Sequence, residues 1–137
     1  MILHAGLVAC RLHERWRGAL IEGPSGAGKS DLALRCLGAG FRLVADDRTL
    51  VWTSGGRLFG RAPETLADLI EVRGLGVLAE PALPFCEVVL VVACEPPERL
   101  PDPAQVDRGG VVLPRVSIAA LESSAPAKLR RAIDDLG

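Results

Sequence analysis

One eight-residue segment carries the clearest chemistry, because its residue types match the phosphate-binding pattern G-x-x-x-x-G-K-[ST]. An apolar run over residues 19–21 precedes it, and apolar residues at helical spacing follow over residues 31–37, which predicts strand, loop and helix in the required order. Glycine backbone amides and a helix N-terminus can hold a phosphate, a lysine can reach the outer phosphates, and a serine hydroxyl can bind Mg²⁺. We therefore predict nucleotide binding by Gly23, Pro24, Ser25, Gly26, Ala27, Gly28, Lys29 and Ser30.

Two adjacent carboxylates, Asp46 and Asp47, end the next predicted strand, residues 41–45. A phosphate-binding loop needs such a carboxylate, because Mg²⁺ takes oxygen ligands and keeps part of its water shell. Neighbouring residues of an extended chain point to opposite sides, so one carboxylate can face the metal and the other a substrate. We assign Asp47 to the metal and Asp46 to the general base that accepts a proton from an attacking hydroxyl, an order that the sequence leaves interchangeable.

Further charged residues are candidates for the same site. Glu71 and Arg73 are two apart, so in an extended segment both project to one side, where they could contact Mg²⁺ and a phosphoryl oxygen. A salt-bridging surface turn is the alternative for this pair. Glu95, after the apolar strand predicted over residues 87–94, is a competing metal ligand, and an ordinary strand exit is the alternative there.

The composition limits the class of protein. The chain has 137 residues, 49% of them hydrophobic, which predicts one compact domain over residues 1–137. Its 16 basic and 17 acidic side chains nearly balance, so no global field attracts nucleic acid or an anionic membrane. The longest apolar run is far shorter than a spanning helix, and the N-terminus lacks a secretory pattern. We therefore expect a cytoplasmic protein with neither nucleic-acid nor membrane partners.

The four cysteines are scattered without C-x-x-C or Cys/His metal spacing, which argues against a zinc site or a redox motif. We expect them to be buried thiols that pack as small hydrophobic side chains. They are Cys10, Cys36, Cys86 and Cys94.

The elements predicted around these residues are mostly strands. Alternation and turn signals predict strands over residues 3–12, 18–22, 41–45, 48–53, 57–59 and 87–94, with two edge strands, 111–113 and 116–118, around Pro114. Helices are predicted after the phosphate-binding segment as far as Gly38 or Gly40, from Pro63 to Ile70, and after Ser124. Residues 71–76 read as a glycine-rich turn, and residues 95–110 as a long loop.

Three of these segments together resemble the motifs of the bacterial HPr kinase/phosphorylase family. They are residues 23–30, 42–47 and 70–76, which follow one another in the family's order and at similar spacing, and the resemblance covers residues 1–92. It implies an α/β P-loop kinase core resembling phosphoenolpyruvate carboxykinase, with a mixed β-sheet, a phosphate-loop helix and few other helices. The chain would be a short form without the large N-terminal domain that members commonly carry.

The resemblance also implies roles for single residues. Asp46, Lys29 and Arg73 would be catalytic, and Ser30, Asp47 and Glu71 would lie at the metal. His4 matches a family position before the phosphate-binding segment and would lie near the phosphates, with a structural histidine as the alternative.

The activity implied is that of an ATP- and Mg²⁺-dependent serine kinase. Its substrate would be HPr, the phosphocarrier protein of the sugar phosphotransferase system, or a paralogue, and phosphorolysis would reverse the reaction. The family also suggests a homo-oligomer, a hexamer. Two other functions stay open: an ATP-binding regulatory module without catalysis, and a small-molecule kinase, although no arginine-rich lid is evident.

Overall fold

The computed structural model describes residues 1–136, which form a mixed α/β fold. In this range, strands greatly outnumber helices, as the sequence predicts. The strands are β1 (Ile2–Leu3), β2 (Gly6–Leu12), β3 (Arg15–Glu22), β4 (Arg42–Ala45), β5 (Thr49–Ser54), β6 (Arg57–Arg61), β7 (Leu69–Val72), β8 (Gly76–Ala79), β9 (Cys86–Cys94), β10 (Ala104–Arg108) and β11 (Val111–Ile118), and the α-helices are α1 (Lys29–Leu37) and α2 (Ala125–Asp134).

The main sheet has nine strands, with the continuous order β1-β5-β6-β9-β3-β2-β4 and the β10–β11 pair joined to β9. β9 lies at its centre, with β3 parallel along one edge. Its other edge is shared, because β6 pairs antiparallel with Cys86, Glu87 and Val88, whereas β11 pairs parallel with residues 91–94. β2 lies antiparallel between β3 and β4, so β3, β4, β9 and β11 all point the same way.

The two faces of the sheet bury separate apolar clusters. On one face α1 and α2 pack against the central strands, for example through Leu32 and Leu129 with Leu90. The opposite cluster draws its side chains from β2, β3, β4, β5, β6, β9 and β11 and from no helix. Because Leu7, Leu20 and Val88 are fully or almost fully buried there without a covering helix, the sheet must curl around them.

Several predicted elements are confirmed, with shifted ends. The predicted helix is α1, which begins at Lys29, within the phosphate-binding segment, and ends at Leu37. Gly40 then takes a left-handed φ of 94°, and Phe41 N donates to Cys36 O at 3.0 Å. Ser124 occupies the N-cap position of α2, although its side chain makes no capping bond. The first predicted strand is divided into β1 and β2 by a bend at His4 and Ala5.

Three predictions about the elements are wrong. The helix predicted from Pro63 to Ile70 is only a 3-10 turn over Glu64–Leu66, because Ala67 is already extended, Asp68 then takes a left-handed φ of 58°, and β7 follows. Residues 95–110 contain strand β10, which pairs with β11 and is therefore visible only through a long-range partner. The two strands expected around Pro114 are one strand, β11, whose pairing with β9 starts only at Arg115.

Within residues 1–136, neither helix has the length and apolar character needed to cross a bilayer.

Candidate active site

Four strands that run in the same direction, β3, β4, β9 and β11, end at one edge of the sheet. Their carboxyl ends lead into residues 23–30 after β3, Asp46 and Asp47 after β4, Glu95 after β9 and residues 119–122 after β11. In open α/β sheets, ligands bind outside the carboxyl ends of the strands. This edge is therefore the candidate active site, and it contains the segment with the phosphate-binding pattern.

Residues 23–28 form the loop that joins β3 to α1, and Lys29 and Ser30 are the first two residues of the helix. Gly28 stands at the N-cap with a left-handed φ of 93°, a conformation that glycine adopts without strain. α1 begins at Lys29, so the unpaired N–H groups of its first turn lie at the end of the loop. The Lys29 ammonium donates to Gly23 O at 2.6 Å and to Pro24 O at 3.1 Å, which folds the lysine back over its own loop. This geometry places a cation and a helix N-terminus together, as anion binding requires.

Asp46 connects three of the segments singled out from the sequence. One of its carboxylate oxygens accepts a hydrogen bond from Ser30 Oγ at 2.8 Å, and the other accepts one from Glu71 N at 2.8 Å. The residue is only 8% exposed. The loop, the end of β4 and β7 therefore meet at one buried carboxylate.

Asp47 has the opposite environment. Its side chain is 61% exposed and lies 3.8 Å from the Arg48 guanidinium, and its backbone takes a left-handed φ of 67°. Arg48 N donates to Asp46 O at 2.7 Å, which closes the turn after β4. The two carboxylates expected to face opposite sides therefore differ sharply in burial.

The segment of Glu71 and Arg73 forms part of a β-hairpin. Glu71 belongs to β7, whereas Arg73 lies in the exposed turn before β8. The turn expected over residues 71–76 is thus shorter, and the two side chains are not on one extended strand, so the argument for a shared side does not apply. Ile70 is buried and anchors the hairpin on the helix-covered core.

His4 lies in an open cleft of about 460 Å³ beside the end of β3. Glu22 and Arg108 line the same cleft and form a two-pronged ion pair, with N–O distances of 2.8 and 2.6 Å. The hydrogen bonds that Arg108 donates to the Glu22 carboxylate raise the pKa of Arg108. Glu22 lies immediately before Gly23, and no local sequence signal reveals its pairing because Arg108 is 86 residues away in the chain.

Glu95 is engaged by its own neighbours. Its Oε1 accepts bonds from Arg115 at 2.7 Å and from Ser117 at 2.8 Å. The hydrogen bonds from Ser117 and Arg115 lower the pKa of this carboxyl group. Glu95 therefore accepts hydrogen bonds from two side chains of β11, which supports the interpretation as an ordinary strand exit more than that as a metal ligand.

Residues 1–136 contain no cluster of three His, Cys, Asp or Glu side chains placed to hold a metal ion. A magnesium ion at a phosphate loop needs fewer protein ligands, because phosphate oxygens and water supply the rest. Ser30 Oγ and an Asp46 carboxylate oxygen lie 2.8 Å apart, and oxygen atoms of these two types are ligands that suit Mg²⁺.

Several known proteins are similar to this chain. The family described as the HPr Serine kinase C-terminal domain matches residues 8–83, which is more than half of the chain. An HPr kinase/phosphorylase of Mycoplasmopsis pulmonis is 44% identical over 82 residues, and one of Xanthomonas campestris is 55% identical over 62 residues. These matches cover 55% and 44% of this chain but only 26% and 20% of the relatives, so the chain spans about a quarter or less of their length.

A solved structure, the HPr(Ser) kinase/phosphatase of Coxiella burnetii, shares the fold over the whole chain. The TM-score is 0.79, and the match covers 99% of this chain and 95% of the other, at 21% sequence identity. At that identity, the likeness establishes the fold, including the mixed sheet and both helices. With the family match over residues 8–83, the chain belongs to the HPr serine kinase C-terminal domain family.

Proposed function

We propose that this protein is an ATP- and Mg²⁺-dependent serine kinase that phosphorylates an HPr-like phosphocarrier protein. The observation that carries the proposal is the Asp46 carboxylate, which accepts hydrogen bonds from Ser30 and from the Glu71 backbone. Three sequence motifs of one family thereby meet within a single hydrogen-bonded unit at the ligand-binding edge of the sheet. The names of the similar proteins point to the same substrate class.

The proposal includes a kinase core like that of phosphoenolpyruvate carboxykinase, formed as one domain and acting in the cytoplasm. Residues 23–30 would cradle the phosphates, and Lys29 would leave its loop carbonyls to contact the outer phosphate oxygens. Ser30 would be one Mg²⁺ ligand. The ion, when bound, neutralises charge that develops on the transferring phosphoryl group.

The geometry favours an exchange of the roles expected for the two aspartates. Both oxygens of Asp46 are in hydrogen bonds and the residue is 8% exposed, so a serine on another protein cannot reach it. Its contact with Ser30 Oγ instead suits the metal side. Asp47, with 61% of its side chain exposed, is accessible to a protein substrate and is proposed as the base that takes the proton from the serine hydroxyl.

The remaining motif residues lie around these two carboxylates. Glu71 is proposed to hold a metal-bound water, since its backbone already contacts Asp46. Arg73, in the exposed hairpin turn, is proposed to contact a phosphoryl oxygen. His4, at the cleft beside the end of β3, is proposed to lie near the phosphates. In phosphorolysis, inorganic phosphate would attack the phosphoserine, Asp47 would return the proton to the serine oxygen, and pyrophosphate would leave.

Incubation with ATP labelled in the γ-phosphate, Mg²⁺ and purified HPr or a nitrogen-system paralogue tests this function. Label on a serine of the carrier is the expected result, and Lys29→Ala should abolish it because the loop loses its cation. Lys128→Ala is the matched control, since Lys128 is the only other lysine and pairs with Glu122 on the surface. ATP binding without transfer would support a regulatory module instead, and label on a metabolite would support a small-molecule kinase.

A further inference from the structure

The turn after β11, residues 119–122, places an exposed leucine against the phosphate-binding loop. Leu121 is 75% exposed, although it sits beside Gly28 of the phosphate-binding loop. A Cβ atom added to Gly28 would lie 3.0 Å from Leu121 Cδ2, so the leucine is in direct contact with the loop at the start of α1. An apolar side chain therefore borders the place where a nucleotide's phosphates would be bound.

The position of this leucine is fixed by Arg35 of α1. The Arg35 guanidinium donates to Ala120 O and to Glu122 O, the carbonyls on either side of Leu121. Its Nε also donates to Asp31 Oδ2 at 2.9 Å, one turn earlier on the same helix. The turn is thus tied to the first two turns of α1, and Leu121 is held in place before any ligand arrives. Because Leu121 is already held in one position, less conformational entropy is lost when a ligand packs against it.

The direction of a bound nucleotide follows from the order of the strands. Asp46 and Asp47, where we propose metal binding and phosphoryl transfer, follow β4 on one side of β3. The turn with Leu121 follows β11, which lies beyond β9 on the other side. An extended nucleotide with its outer phosphates at Asp46 would have its base on the other side of the loop, where β9 and β11 end.

We propose that Leu121 packs against the base of the nucleoside triphosphate bound at residues 23–30. The inference rests on the proposed function, because it requires a nucleotide in this loop. The base is planar and apolar on its faces, so it gains by covering a leucine that is otherwise mostly in water. Arg35 acts as the positioning residue for this contact.

Calorimetric titration of the Mg²⁺ complexes of ATP and of inorganic tripolyphosphate separates a base contact from a phosphate contact. Leu121→Ala should weaken ATP binding about 5-fold, because part of a leucine's buried apolar area is lost. Tripolyphosphate, which has no base, should bind the variant as tightly as the wild type. Leu121→Met, which keeps an apolar side chain of similar size, should restore ATP affinity.

Leu136→Ala is the matched control, because Leu136 is also an exposed leucine but lines a groove with Arg15, at the opposite end of β3. The inference is overturned if Leu121→Ala leaves ATP affinity unchanged while the wild type binds both ligands. It is also overturned if Leu121→Ala lowers the affinities for ATP and tripolyphosphate equally, which indicates a displaced loop. A rise only in the KM for the carrier protein would overturn it too, because it indicates that Leu121 contacts the protein substrate. A wild-type protein that binds neither ligand would instead contradict the proposed function itself.

Discussion

At the scale of single residues, burial separates two side chains that the sequence presents as equivalents. Asp46 and Asp47 are neighbours, and alternation along a strand predicts only that they point to opposite sides. Which of them faces the loop depends on Ser30 and on the Glu71 backbone, 16 and 25 residues away, and on the left-handed turn at Asp47. The chemical pair was predictable from the sequence, but its division of roles depends on these distant contacts.

Substitution of each aspartate by asparagine tests that division. Asp46→Asn removes the charge next to Ser30, so Mg²⁺-dependent ATP affinity should fall about 10-fold, equivalent to about 1.4 kcal/mol. Asp47→Asn should keep ATP affinity but slow phosphoryl transfer at least about 100-fold, the usual effect of losing a general base. Titration calorimetry with and without Mg²⁺, together with single-turnover transfer assays, measures both quantities. If Asp46→Asn binds MgATP normally and loses only phosphoryl transfer, Asp46 is the general base and Asp47 lies at the metal, as assigned from the sequence.

At the scale of elements, local signals predicted the strands next to α1 but not the β7–β8 hairpin. Pro63 was expected as the first helical residue but stands at the N-cap of the turn, and nothing in the following residues forbids a longer helix. The chain instead leaves the helical conformation at Ala67, which is extended, and Asp68 then bonds to a segment that follows the hairpin. Asp68 Oδ1 accepts from Ala82 N at 2.8 Å, and Asp68 O accepts from Glu80 N at 2.9 Å. The hairpin that carries Glu71 is therefore closed by contacts 12 and 14 residues along the chain.

Asp68 should accordingly control the stability of this hairpin. Asp68→Ala removes the hydrogen bond to Ala82 N. It also puts alanine, whose side chain cannot form a local hydrogen bond, in a left-handed conformation at φ 58°. Together these changes should lower the free energy of unfolding by about 1–2 kcal/mol. Asp68→Asn is the matched control, because asparagine tolerates the left-handed conformation and keeps an acceptor oxygen. Urea unfolding gives the stability, and amide hydrogen exchange at Ala82 reports local opening. Equal stability of the two variants would show that the bond to Ala82 N and the left-handed backbone do not hold the hairpin closed.

At the scale of the whole molecule, topology was the least predictable feature. The sequence predicts most of the apolar strands and α1, because their periodicity is local. It does not predict that β9 changes partner from β6 to β11 along one edge, nor that residues 104–108 form a strand beside β11. Both depend on which strands meet across the sheet. The cysteines, in contrast, were predicted correctly as buried thiols, since a fold of this kind must fill its core with small apolar groups.

These four buried thiols make the stability of the whole fold depend on alkaline pH. Burial raises the pKa of Cys36 and of Cys86 to about 12, and it raises the pKa of Cys10 and of Cys94 above the ordinary value. The thiol of a cysteine in an unfolded chain has a pKa of about 8.5, so above that pH the unfolded chain has released thiol protons that the folded chain still holds. The stability present below about pH 8.5 is therefore lost as the pH rises toward the folded-state values, by up to about 1.4 kcal/mol per pH unit for each thiol.

The composition makes this effect measurable, because the chain has no tyrosine and only two lysines to titrate in the same range. The free energy of unfolding, from urea titrations under reducing conditions, should be nearly constant from pH 7 to 8 and should fall steeply from pH 9 to 11. Cys36→Ala removes one buried thiol and leaves a small cavity, so at pH 7 its free energy of unfolding should be lower than that of the wild type. Above pH 9 its free energy of unfolding should fall less steeply with pH, because one fewer thiol titrates. The difference between the two slopes measures the thiol's contribution independently of the cavity. An identical slope in Cys36→Ala would mean that Cys36 ionises equally in the folded and unfolded chains, and that its burial in the last turn of α1 does not protect it.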